Sequence, residues 1–142
     1  MLNLFSTALR LAIAFILGGI IGLEREKKGA RAGLRTHILV CMGSSLIMLT
    51  SLYVFEIYEG RGVVDPARIA AGVVTGIGFL GAGTIIRSSE RIKGLTTAAS
   101  VWISAAIGLA VGCGYISAAI ITTAIVYFSL SILKRIEKEV IG

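Results

Sequence analysis

The residues of this chain that could do chemistry are the few charges lying in or beside its apolar runs. Arg10 is one of them, set inside LNLFSTALRLAIAFILGGIIGL. From Leu11 to Leu23 there are thirteen residues, too few for the about 20 that a helix needs to cross a hydrocarbon core. The span must therefore include residues before Arg10, which places the guanidinium about two turns inside one edge of the membrane. A charge at that depth is costly and marks a functional position, unless its long stem carries the head out to the interface. Asp65 and Arg68 open a later apolar run on the same side. Asp65 followed by Pro66 reads as a helix cap with proline at the first helical position. The same carboxylate is also a candidate partner for Arg10, or a weak candidate for a divalent cation, since magnesium is held by few carboxylates and several waters.

At the far end of the first apolar run come Glu24, Arg25 and Glu26, and the second run opens on Arg35, Thr36 and His37. This spacing allows an ion-paired cluster between the two helix ends. It equally allows a solvated interfacial loop, in which exposed pairs contribute little. His37 and Cys41 share a helix face, but two ligands do not make a metal site, and Cys41 reads as a packed thiol. With a single histidine and no HExxH or GxSxG pattern, no enzyme is expected, and no cofactor. GIGFLG at residues 76–81 matches the dinucleotide fingerprint letter for letter. That motif needs a preceding strand and an acidic residue about 20 positions on. No Asp or Glu lies between Arg91 and Lys134, so the match is accidental.

The elements that must position these residues are membrane helices. Of the 142 residues, 56% are hydrophobic and 15% charged, and the mean hydropathy is +0.90. Five apolar segments are long enough to span: Leu4 to Leu23, about His37 to Phe55, Pro66 to Ile86, about Leu95 to Val111, and about Ile116 to Leu133. The expected fold is an all-α integral membrane protein, one domain over residues 1–142, with five transmembrane helices. The first segment lacks a basic leader region and reads as a retained helix. Cys41 and Cys113 imply no disulfide framework.

The formal net charge of +6 does not indicate nucleic acid, because the basic residues sit in short clusters between apolar runs. Arg25, Lys27, Lys28, Arg31 and Arg35 follow the first segment; Arg87, Arg91 and Lys93 follow the third; Lys134, Arg135 and Lys138 follow the fifth. Against these eleven, the other side holds only Arg61. The positive-inside rule then puts the N-terminus outside and the C-terminus in the cytoplasm.

Small residues recur every four positions along three of the segments: Ala14, Gly18 and Gly22 after Arg10; Gly72 and Gly76 after Arg68; and Thr96, Ser100, Ser104, Gly108 and Gly112. Such seams let helix backbones approach closely in lipid. The third segment is the most glycine-rich, with Gly76, Gly78, Gly81 and Gly83 in eight residues. Either another backbone passes close to these glycines, or the helix unwinds there and offers carbonyls to a ligand. A five-helix monomer leaves some seams unmatched, so a homo-oligomer is expected, most simply a two-fold dimer.

The ordered motifs IGLERE, GLRTHILV, DPARIAAGVVTGIGFLGAGTI and GLTTAASVWISAAIGLAVGCG resemble the membrane domain of the MgtC/SapB family, from about Leu11 to Ile132. The resemblance implies a five-helix protein of the bacterial inner membrane, linked to magnesium limitation and stress adaptation. It also implies a regulatory role exerted through other membrane proteins, with a small oligomeric divalent-cation transporter or channel as the alternative. Two positions depart from the family pattern. Gly72 stands where many members carry glutamine, and Thr75 where they carry serine, which removes a polar group from that site. Thr96 in GLTTAA stands where the virulence-associated branch often has asparagine. That branch often continues into a soluble C-terminal domain, so this chain is expected to be a short, generic member.

Overall fold

The computed structural model describes residues 3–60, 65–88 and 91–133. Arg61 and the basic tail Lys134, Arg135 and Lys138 lie outside them. Five helices form: α1 (Leu4–Lys27), α2 (Leu34–Tyr58), α3 (Ala67–Ala82), α4 (Leu95–Cys113) and α5 (Ile116–Phe128), the last running into a π-helical turn, Ser129–Leu133. Asn3 starts α1 with a reciprocal cap. Its Oδ1 accepts from the Ser6 amide at 2.7 Å, and the Ser6 hydroxyl accepts from the Asn3 amide at 3.2 Å. Glu26, at the end of α1, reaches over to the start of α2 and accepts from the Leu34 amide at 2.8 Å. One carboxylate thus satisfies an orphan donor of the next helix and fixes the turn between them.

Three helices, α1, α2 and α4, are long and apolar enough to cross a membrane; α3 and the α5 segment are shorter. At 1.5 Å per residue, the 16 residues of α3 rise only about 24 Å. The sequence expectation ran this helix on to Ile86. Instead it stops at Ala82, and Ile86–Arg87 pairs antiparallel with Ile92–Lys93 in a minimal hairpin. Gly94 closes that hairpin at φ +95°, where a Cβ would strike the Thr84 carbonyl. A glycine is required there both for its positive φ and for space.

Helix α4 is the hub. It packs on each of the other four, and α2 and α4 stand between α1 and α3. One core cluster joins Ala14, Leu17 and Ile21 of α1 to Cys41, Ile107, Val111 and Ala119. A second joins Ala32 of the α1–α2 turn to Val73, Ile77, Val101 and Ala105. Large apolar side chains such as Phe15, Phe79, Trp102 and Ile125 point outward, as lipid-facing helices require.

The seams of α1 and α4 are packed against α2. A Cβ on Gly18 would sit 2.7 Å from the His37 carbonyl oxygen, and one on Gly22 would sit 2.7 Å from Leu34 Cα. One on Gly108 would run into the Cys41 carbonyl, and one on Gly112 would meet Ser45 O at 2.6 Å. The glycines of α3 differ. Nothing lies within 4 Å of a Cβ placed on Gly72, Gly76 or Gly78, and Gly81 only touches Ala98, at 3.7 Å. The expectation that a backbone passes close to these glycines is therefore not met among the described residues. Nor does the helix unwind among them: α3 is continuous from Ala67 to Ala82, and Gly83 is its C-cap with an ordinary helical φ of −62°. An intact helix keeps its own carbonyls hydrogen-bonded, so no row of carbonyls is offered along this segment.

Candidate functional site

The densest polar cluster lies where the end of α1, the α1–α2 turn, the start of α2 and the first turns of α4 meet. His37, on the first turn of α2, is fully buried. Its Nδ1 lies 2.8 Å from the Gly33 carbonyl oxygen. A carbonyl only accepts, so Nδ1 carries the proton and donates it. Nε2 lies 3.1 Å from the Ser100 hydroxyl on α4. Ser100 also reaches the Thr97 carbonyl at 2.9 Å, and Ser104 donates to the Ser100 carbonyl at 2.9 Å. The imidazole is a polar rivet between α2 and α4, seated next to the point where Gly18 lets α1 close on α2.

Glu24 and Arg25 flank this rivet on the last turns of α1, and both are buried, at 5% and 8% exposure. Arg25 Nη1 stands 3.7 Å from Glu24 Oε2. That is an ion pair without a hydrogen bond. Both Glu24 oxygens and Arg25 Nε lack a hydrogen-bond partner among the described residues. Of the two sequence readings, a cluster and a solvated loop, each holds for part of the group. Glu24, Arg25 and His37 are enclosed, whereas Arg35 and Thr36 are exposed and take no part.

At the opposite end of the bundle, Arg10 is half-buried and its Nη1 donates to the Gly112 carbonyl at 2.7 Å. Gly114, at φ +92°, forms the C-cap of α4 beside the same guanidinium. A cation here meets the negative end of the helix dipole and the carbonyls that the helix cannot satisfy itself. Asp65 is not its partner. Asp65 is exposed and accepts from the Ala67 amide at 2.8 Å, capping α3. Helix α3 lies across the bundle from α1, so the proposed Arg10–Asp65 pair is corrected to Arg10 with the end of α4. Arg68 is exposed on α3. Thr96 is exposed at the mouth of a groove between α4 and α5, and its neighbour Thr97 is the buried one. No group of three metal-ligating side chains exists among the described residues.

Sequence reasoning passed over His37 and Ser100 as a pair. The signal was present in part, because Ser100 lies on the α4 seam and His37 lies one turn before Cys41. Only packing shows that the two faces meet.

A bundle built on small-residue seams, polar rivets and a buried end-of-helix charge pair defines a class of small helical membrane protein. Residues 11–139 match the sequence model of the MgtC family, and the chain belongs to that family. It is 52% identical over 108 residues to the Escherichia coli K12 protein named "Putative magnesium transporter YhiD", which covers 75% of this chain and 50% of the relative. It is 46% identical over 117 residues to "Protein MgtC" of Brucella abortus, covering 82% of this chain and 47% of the relative. It is 37% identical over 137 residues to "Protein SrpB" of Synechococcus elongatus, covering 91% and 75%. The chain thus spans about half the length of YhiD and MgtC. No solved structure matches it.

Proposed function

We propose that this chain is a non-enzymatic protein of the bacterial inner membrane that supports magnesium homeostasis or stress adaptation through contacts with membrane proteins, a second copy of itself included. The observation that carries this reading is the division of labour among its polar groups and seams. Arg10 and His37 bond groups on another helix of the bundle and so act as struts, while Ser104 and Thr123 bond carbonyls of their own helices. The α3 seam, in contrast, is left open outward. The name of the E. coli relative supports the connection to magnesium. In this reading all five helices cross the membrane, α3 as a short span of about 24 Å, and the basic loops, the hairpin with Arg87 and Lys93 among them, face the cytoplasm.

That same relative's name favours a second reading, a small oligomeric transporter of divalent cations. Uptake of labelled magnesium into proteoliposomes of the pure protein separates the two. Uptake no faster than in protein-free vesicles is expected; saturable uptake overturns the regulatory reading. The orientation is tested by labelling from outside the cell. Cys113, exposed at the last residue of α4, is expected to react, and a cysteine at Lys28→Cys to be protected; the reverse sinks the topology.

A further inference from the structure

A groove of about 620 Å³ runs between α2 and α3, with Gly43 and Ser44 on one wall and Gly72 and Gly76 on the other. Nothing lies within 4 Å of a Cβ placed on any of these three glycines, so the groove is open for want of side chains. Ser44 lines it, is only 3% exposed, and makes no side-chain hydrogen bond among the described residues. The unbonded hydroxyl of Ser45 is sealed inside the bundle; that of Ser44 is not. Thr75, exposed on the outer face of α3, is likewise unbonded. Thr50, Ser104 and Thr123 bond carbonyls of their own helices, but these two do not. Hydrocarbon offers a hydroxyl no partner, so an acyl chain would fill the groove and leave both unmet. A neighbouring helix that carries a hydroxyl at this level meets them.

We propose that a second copy of this chain docks here about a two-fold axis, the α3 of each lying along the α2–α3 groove of the other. This rests on the contacts between copies proposed above and names their surface. The order of positions around α3 carries the geometry. At about 100° per residue, Gly76, Gly72, Phe79 and Thr75 follow one another around the helix, turning away from α2. Gly72 and Gly76 then face the partner's α3, where backbones can cross closely. Thr75 and Phe79, the latter 84% exposed, face the partner's α2. Thr75 comes opposite Gly43 of that helix, where no side chain bars its hydroxyl from Ser44. Arg68 shares this face, exposed and without an ion pair among the described residues. It lies on the side of the end of the partner's α2. There Glu56 and the C-cap Glu59 add to the negative pole of the helix, with no basic residue in its last turn. The surface thus carries its own complement, as a two-fold interface requires.

The test is disulfide trapping in membranes holding two tagged forms of the full chain, both with Cys113→Ser; Cys41 is buried and does not react. One form carries Thr75→Cys and the other Gly43→Cys, positions with space in the monomer, so both fold. Mild oxidation is expected to join the two tags. A control with Ile121→Cys, exposed on α5, in place of Thr75→Cys is expected not to join. No joined product, or as much from the control, overturns the proposal. In a second arm, energy transfer between labelled copies in liposomes gives the Kd of the dimer. Thr75→Val is expected to weaken it about eightfold, from about threefold for each of two symmetric hydrogen bonds between membrane helices. Arg68→Glu, which sets like charges against each other, is expected to weaken it about tenfold or more. A Kd that either variant leaves unchanged overturns the proposal. Such a failure leaves the regulatory reading standing on contacts with other proteins, which only saturable magnesium uptake would remove.

Discussion

The two sides of the bundle use glycine differently. On the α1–α2–α4 side, Gly18, Gly22, Gly108 and Gly112 sit where the backbone or Cβ of a neighbouring helix leaves no room for a side chain. On α3, Gly72, Gly76 and Gly78 have open space where a side chain would stand. The same residue type at the same four-residue spacing is in one case the condition for the fold and in the other unused by the monomer. Each open glycine costs α3 about 1 kcal/mol of helix stability relative to alanine. Spacing identifies a surface capable of close approach. Whether something approaches is a separate fact, and among the described residues it holds only for the first side.

The strongest way to break that comparison is Gly108→Ala. A single methyl would press into the Cys41 carbonyl, in a backbone that moves only by separating α2 from α4. Overpacking of this kind costs about 1–3 kcal/mol or more, and it should appear as a marked loss of thermal stability in detergent. Stability equal to wild type would refute the α2–α4 closeness.

Arg10→Gln is expected to come next. It removes a charged donor from the end of α4 and leaves the Gly112 carbonyl short of its partner, a loss of about 1.5–3 kcal/mol. The companion variant Asp65→Asn is expected to stay within a few tenths, because asparagine caps a helix about as well as aspartate. Thermal melts of the two single variants and the double are expected to show no coupling, as for separated sites. A coupling above about 0.5 kcal/mol would restore the Arg10–Asp65 pair.

The smallest effect sharpens the other side. Gly76→Ala should leave the monomer's stability unchanged or raise it by up to about 1 kcal/mol. Gly76→Leu should fit the monomer as well, yet block any partner that uses the seam. Light scattering in detergent then decides the role of α3. A wild-type dimer that Gly76→Leu converts to a monomer assigns the face to a second copy; a wild-type monomer removes the dimer.

Much of this was legible without coordinates. The positions of the five helices follow from apolar run length, because a chain in lipid must satisfy its backbone internally. The family follows from four spaced motifs in order. The cap at Asp65 follows from Asp-Pro chemistry. These are local or one-dimensional properties, set by residues near one another in sequence.

The partners across the bundle were decided only by tertiary structure. Arg10 bonds a residue 102 positions away and His37 one 63 positions away, and no periodicity encodes which helix ends meet. The sequence offered Asp65 as the acceptor for Arg10, and the placement of α4 beside α1 with α3 on the far side gave it the Gly112 carbonyl instead. For the same reason the sequence could mark Glu24 as a charge near a helix end without showing that it is enclosed. Burial is a property of the assembled helices, and it leaves a common interfacial glutamate without a hydrogen bond among the described residues.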